Sequence, residues 1–212
     1  QHGIPVRRDI VDAGPRRGEP GIGKRRHPAR ELTADVDDVI GDGDGFFVVL
    51  DGIRDTIRHL KGWMKPVKRH ADPMMFPLAR NRVIPQPLGV VGVIVPWNFP
   101  LNLSLVPLTY IFAAGNRAMV KMSENSRHLA RLLIEKIPAY FPPEKLQFFD
   151  ETGGVGIEFS RLPFDHLLFT GSGQTGRAVM TAAAQNLCPV TLELGGKAPA
   201  VVCDDFPLRT AV

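Results

Sequence analysis

From residue 90 to residue 194 short runs rich in valine, leucine and phenylalanine alternate with helical stretches, and no other feature constrains the fold so tightly. Residues 90–95, 118–121, 146–149, 166–170 and 190–194 read as strands of the buried type. Residues 104–114, 126–140, 153–159 and 173–185 read as the helices between them. In the second of these helices Leu129, Leu132, Leu133 and Ile137 fall on one side. Such a βαβ series predicts an α/β fold, a Rossmann-type parallel sheet with helices on both faces. Ligand sites in such folds lie beyond the carboxyl ends of the strands, so the residues following each apolar run are the ones to read for chemistry.

Four of these strand ends carry polar clusters. After VVGVIV comes PWNFP at 96–100, where two prolines enclose Trp97, Asn98 and Phe99. Proline fixes its own backbone angle and donates no hydrogen bond, so an amide side chain is held in a stiff turn where a strand has just stopped. After AMVK comes MSEN, which sets Lys121 and Glu124 three residues apart. A carboxylate there suits ribose hydroxyls and repels a 2′-phosphate; an exposed charge pair at a helix start reads equally well. After HLLF comes TGSGQTG at 170–176, a glycine-rich turn opening a helix. Its backbone amides and the positive end of the helix dipole suit a diphosphate, as they also suit a plain strand-to-helix turn. After VTLEL comes GGK, with Glu193 between two leucines. Burial there predicts a raised pKa and a role in proton abstraction, the alternative being a structural glutamate that caps a loop.

The rest of the chain is read more briefly. Residues 1–45 hold 12 glycines and prolines, 17 charged residues and no aromatic, a composition that buries little and predicts disorder. Residues 46–88 read as a helix with Leu50, Ile53, Ile57, Leu60 and Met64 on one face, ended by Pro66, followed by a proline-rich extended arm over 76–87. Residues 89–212 read as an incomplete nucleotide-binding domain. The net charge of +4 concentrates in a basic stretch from Arg58 to Arg82, read as a solvated helix face. Without interleaved aromatics or a nucleic-acid module, a nucleic-acid partner is not indicated. No apolar stretch is long enough for a membrane span, and the N-terminus lacks signal-peptide character, which suggests a cytoplasmic protein. Cys188 and Cys203 have neither paired nor ligand spacing, so no disulfide framework or metal site is expected.

Taken together, PWNFP, the Lys121/Glu124 pair, FTGSxxxG and ELGGK resemble the aldehyde dehydrogenase superfamily in order and separation, from about Phe46 to the end of the chain. More narrowly, HLKGWMKP, QPLGVVGVIVPWNFP, LPFDHLLFTGS and PVTLELGGKAPA are similar to the bacterial coniferyl aldehyde dehydrogenase branch. The resemblance implies oxidation of an aromatic or fatty aldehyde to the carboxylic acid, through attack by a cysteine thiolate and hydride transfer to a nicotinamide dinucleotide. It assigns Asn98 as the oxyanion donor and Glu193 as the base that activates water. It assigns Trp97, Lys121, Glu124, Gly171, Ser172 and Gly176 to cofactor binding. Glu124 favours NAD by charge, while a flexible carboxylate can turn aside and admit NADP. Intact members of the family are homo-oligomers.

Two departures accompany the likeness. The family's nucleophilic cysteine follows the ELGGK segment in the next domain, and both Cys188 and Cys203 read as packing residues. The catalytic domain is therefore expected to be absent, as in a truncated, frameshifted or split gene product, and the chain alone inactive. The first 45 residues also lack the helices with which the family begins. The rival reading is a non-catalytic nucleotide-binding or interaction module that uses its basic stretch to hold an anionic partner.

Overall fold

The computed structural model describes residues 44–151, 155–196 and Val201. The expectations for residues 1–43 and for Cys203 lie outside them. Helix α1, Asp44–Trp63, begins two residues ahead of the expected onset at Phe46. Its packed stripe is Val49, Ile53, Thr56 and Leu60, spaced for one helical face. Ile57 and Met64, expected on that face, are exposed at 71% and 62%. The side chains fully buried on this helix are the narrower Val49 and Thr56, while Phe46 packs partly buried against the core.

Pro66 ends the helical run, and the chain forms an antiparallel hairpin of β1, Val67–Arg69, and β2, Asn81–Val83, with Lys68 opposite Arg82. This corrects the reading of 58–82 as one helix face. Arg58 and Lys61 lie on α1, whereas Lys68, Arg69 and Arg82 lie on exposed hairpin strands.

Among the described residues five parallel strands make the main sheet: β3 Val90–Ile94, β4 Arg117–Lys121, β5 Leu146–Phe149, β6 His166–Gly171 and β7 Val190–Leu194. Their spatial order is β5-β4-β3-β6-β7, so the chain starts at the centre, winds out to one side, then returns and winds out to the other. Helices α2, Pro100–Ala113, and α3, Arg127–Lys136, cover one face. Helices α4, Val155–Ser160, and α5, Gly173–Ala184, cover the other. Helix α2 starts four residues earlier than expected, because Pro100 takes the first helical position, where its missing N–H costs nothing.

The strands show why both faces are covered. Val91, Val93 and Val95 point into the α2/α3 core together with Ala118, Val120, Leu146 and Phe148. Val90 and Ile94, one residue out of phase, join Leu167, Phe169, Phe164 and Val179 in the α4/α5 core. Between them Gly92 leaves room for two neighbours, since an added Cβ would stand 2.7 Å from both Leu167 and Phe164. The opposite rim of the sheet is fastened by side chains. Asn116 Oδ1 accepts the Leu88 and Gly89 N–H groups at 2.6 and 3.0 Å, and Asp165 Oδ2 accepts the Val90 N–H at 2.7 Å. The functional loops thus hang from a core tied down at its far end. Among the described residues no helix is long and apolar enough to cross a membrane.

Candidate functional site

Strand order reverses between β3 and β6, and in open α/β sheets the crevice outside the carboxyl ends of that pair is where ligands bind. Here a groove of about 510 Å³ opens there, lined by Pro96, Trp97 and Asn98 after β3, Thr170 to Ser172 after β6, and Glu193 to Gly195 after β7. Five residues singled out from the sequence, Trp97, Asn98, Gly171, Ser172 and Glu193, therefore meet around one space.

The backbone explains how each is held. Val95 still donates to the Lys121 carbonyl at 3.0 Å, after which Pro96 offers no donor and pairing stops. Trp97, Asn98 and Phe99 stand exposed before α2 begins at Pro100. The fully buried Ser104 hydroxyl donates back to the Pro100 and Leu101 carbonyls at 2.7 and 2.9 Å, pinning the first turn of α2. The Asn98 side chain has no hydrogen-bond partner among the described residues, so its amide is available to a ligand.

At the second loop Ser172 caps α5, its Oγ accepting the Thr175 N–H at 3.1 Å. An added Cβ at Gly173 would meet nothing within 4 Å, so the backbone of the first turn is open to an approaching group. Gly176 faces inward and is buried; a Cβ there would stand 3.0 Å from Leu194 Cδ2. Its lack of a side chain lets α5 lie close to β7.

Glu193 lies beside Thr170 in the β6/β7 register and is the only ionisable side chain among the described groove residues. It is exposed, which corrects the expectation of a buried acid. Among the described residues strand β7 has one hydrogen-bonded neighbour in the sheet, and Leu194 beside Glu193 is itself 47% exposed.

Lys121 lies on the far side of α5. With Glu151 it lines a second cavity of about 320 Å³, walled by Ile94, Phe169, Ala178, Val179 and Ala182. The Lys121 side chain is 9% exposed, and its ammonium forms an ion pair with Glu151, whose carboxylate also accepts the Gly156 N–H. Glu124, in the 3₁₀ turn Glu124–Ser126 after β4, is exposed and lines neither cavity. Reading the ends of β3, β4, β6 and β7 leaves out β5, and Glu151 lies just beyond that strand. The acidic pair at 150–151 was the available signal. Among the described residues no group of His, Cys, Asp and Glu is placed to hold a metal ion.

The aldehyde dehydrogenase family profile matches residues 44–212, well over half of the chain. The chain belongs to the aldehyde dehydrogenase family. It is 52% identical over 162 residues to a probable coniferyl aldehyde dehydrogenase of Pseudomonas aeruginosa, covering 76% of this chain and 34% of the relative. Among solved structures, Staphylococcus aureus AldH in a substrate-bound state aligns with a TM-score of 0.73 at 30% identity, over 81% of this chain and 39% of that one. A Mycobacterium tuberculosis aldehyde dehydrogenase complexed with NAD+ aligns with a TM-score of 0.58 at 30% identity, over 76% and 33%. The chain spans about a third of the length of the curated relatives it matches.

Proposed function

We propose that this chain is the dinucleotide-binding part of an NAD-dependent aldehyde dehydrogenase that oxidises an aromatic aldehyde such as coniferyl aldehyde, or a fatty aldehyde, to the acid. The observation that carries this reading is the meeting of Asn98, Ser172 and Glu193 around one groove at the sheet's switch point, with an apolar slot on the other side of α5. A dinucleotide is long enough to span the two. The slot, with aliphatic walls and few polar groups, suits a flat base. The capped N-terminus of α5, open at Gly173, suits the diphosphate between them.

When bound, the nicotinamide supplies the hydride acceptor. Asn98 donates its side-chain N–H to the oxyanion that forms when a thiolate adds to the aldehyde carbon. Loss of one such donor costs on the order of 10² to 10³ in rate. Pro96 and Pro100 limit the swing of that amide. Glu193 takes a proton from the water that attacks the resulting thioester carbonyl, and acid and thiol then depart. Trp97 forms part of the groove wall, and Gly171, Ser172 and Gly176 shape the turn into α5. Lys121 and Glu124 address the adenosine ribose.

On the reading that makes both cysteines packing residues, neither Cys188 nor Cys203 supplies the thiolate. Cys188 is buried next to Pro189, whose carbonyl accepts the Leu167 N–H at the starting end of β6, across the sheet from Asn98. We therefore expect this chain alone to bind NADH without sustaining aldehyde oxidation. NADH fluorescence should saturate at millimolar cofactor or below; a folded chain that shows no binding would refute the dinucleotide reading. Sustained NADH production from NAD and coniferyl aldehyde would refute the expected inactivity. The cysteine spacing and the lack of a span among the described residues suit a cytoplasmic setting.

A further inference from the structure

The cation beside the apolar slot is already matched by an anion of the same chain. Lys121 emerges at the carboxyl end of β4 with its side chain 9% exposed, and Glu151, 20% exposed, forms an ion pair with it. Glu151 is itself held, because the Gly156 N–H donates to both carboxylate oxygens at 3.3 and 3.1 Å. Gly156 is needed for this arrangement, since an added Cβ would stand 2.9 Å from Glu151 Oε2 and 3.2 Å from Lys121 Nζ. Three elements, the ends of β4 and β5 and the first turn of α4, thus place a fixed carboxylate against the cavity's lysine.

We propose that Glu151 is a specificity-determining residue that makes this site select a dinucleotide whose ribose lacks a 2′-phosphate. The inference deepens the function proposed above and rests on the dinucleotide entering the slot beside Lys121. An unpaired ammonium at this place would attract a phosphate dianion. Paired with Glu151, it presents no net charge. A 2′-phosphate then meets one cation shared with a carboxylate, in a setting shielded enough that salt screens the repulsion only in part. Neutral ribose hydroxyls can instead donate to carboxylate oxygens and keep the pair intact. The ribose end is selected by repulsion as well as by attraction.

The test compares the full chain with Glu151→Gln, which keeps the side chain's shape and an oxygen for the Gly156 N–H while removing the charge. Dissociation constants for NADH and NADPH are read from nicotinamide fluorescence at two ionic strengths, with circular dichroism confirming that each chain is folded. The wild-type chain should bind NADH at least about tenfold more tightly than NADPH. The Gln variant should lose most of that preference, chiefly by gaining affinity for NADPH. Glu151→Asp, which keeps the charge, should retain the preference. Equal weakening of both nucleotides in the Gln variant, an unchanged ratio, or a wild-type preference for NADPH would overturn the assignment and leave the dinucleotide site standing. Absence of binding to a folded wild-type chain would instead remove the site and this inference together. If the Gln chain does not fold, Glu151→Ser serves as the uncharged variant under the same criteria.

Discussion

Gly92 lies in the middle of β3, the strand that delivers Trp97 and Asn98 to the groove, and its replacement by alanine tests the packing that holds the site. The new Cβ would stand 2.7 Å from Leu167 Cδ1 and 2.7 and 2.8 Å from two ring carbons of Phe164. Carbon atoms pack at about 3.5–4.0 Å, so both neighbours must retreat by nearly 1 Å. Neither has room. Leu167 is fully buried, and Phe164, 6% exposed, is packed against Phe159 with ring centroids 4.9 Å apart. Overpacking a closed core of this kind costs about 1–3 kcal/mol, and two blocked neighbours place Gly92→Ala toward the upper end. With a urea dependence of about 2 kcal/mol per molar, the midpoint of unfolding should fall by about 1 M. Gly176→Ala is the internal control. Its Cβ would meet Leu194 Cδ2 at 3.0 Å, but Leu194 is 47% exposed and its end can swing away, so the loss should be below about 1 kcal/mol. Urea titrations of the full chain, followed by far-ultraviolet circular dichroism, compare the two. Equal midpoints for Gly92→Ala and wild type would refute the claim that this glycine makes room for the second core.

Other perturbations follow from single groups. The Thr56 hydroxyl is buried on α1 with no hydrogen-bond partner among the described residues, so Thr56→Val should raise stability by about 1 kcal/mol in the same titration. Ser172→Ala removes the cap of α5 and should cost about 1 kcal/mol while weakening NADH binding measured by fluorescence. Burial, and secondarily the charge of Asp165, push the Cys188 thiol above its ordinary value of 9.0. The folded chain therefore keeps that proton after the unfolded chain has lost it. The contribution is full below about pH 9 and is lost as pH rises through the folded value, so wild type should lose stability relative to Cys188→Ala as the pH is raised above about 9.

The strands and the loops at their ends were legible in the sequence because both signals are local. A run such as VVGVIV states its own burial, and prolines at 96 and 100 state where pairing ends. The α1 stripe was less legible. Spacing placed Ile57 and Met64 on the apolar side, but the surface of α2 decided which neighbouring stripe, Val49 to Leu60, would pack. Glu193 was misjudged for a related reason. Leucines on either side imply burial only if something covers both faces of the strand, and among the described residues β7 lies at an end of the sheet order.

The order of buried and polar runs thus determined by itself that this chain makes a parallel sheet with its chemistry at one rim. Those choices depend on side-chain polarity and backbone donors along a few consecutive residues. Only the tertiary structure decided that Lys121 pairs with Glu151, thirty residues away, and that Asn98 shares a groove with Glu193. The charge and contacts of such groups are set by neighbours that the winding of the sheet brings together, and no local pattern encodes a distance between strand ends.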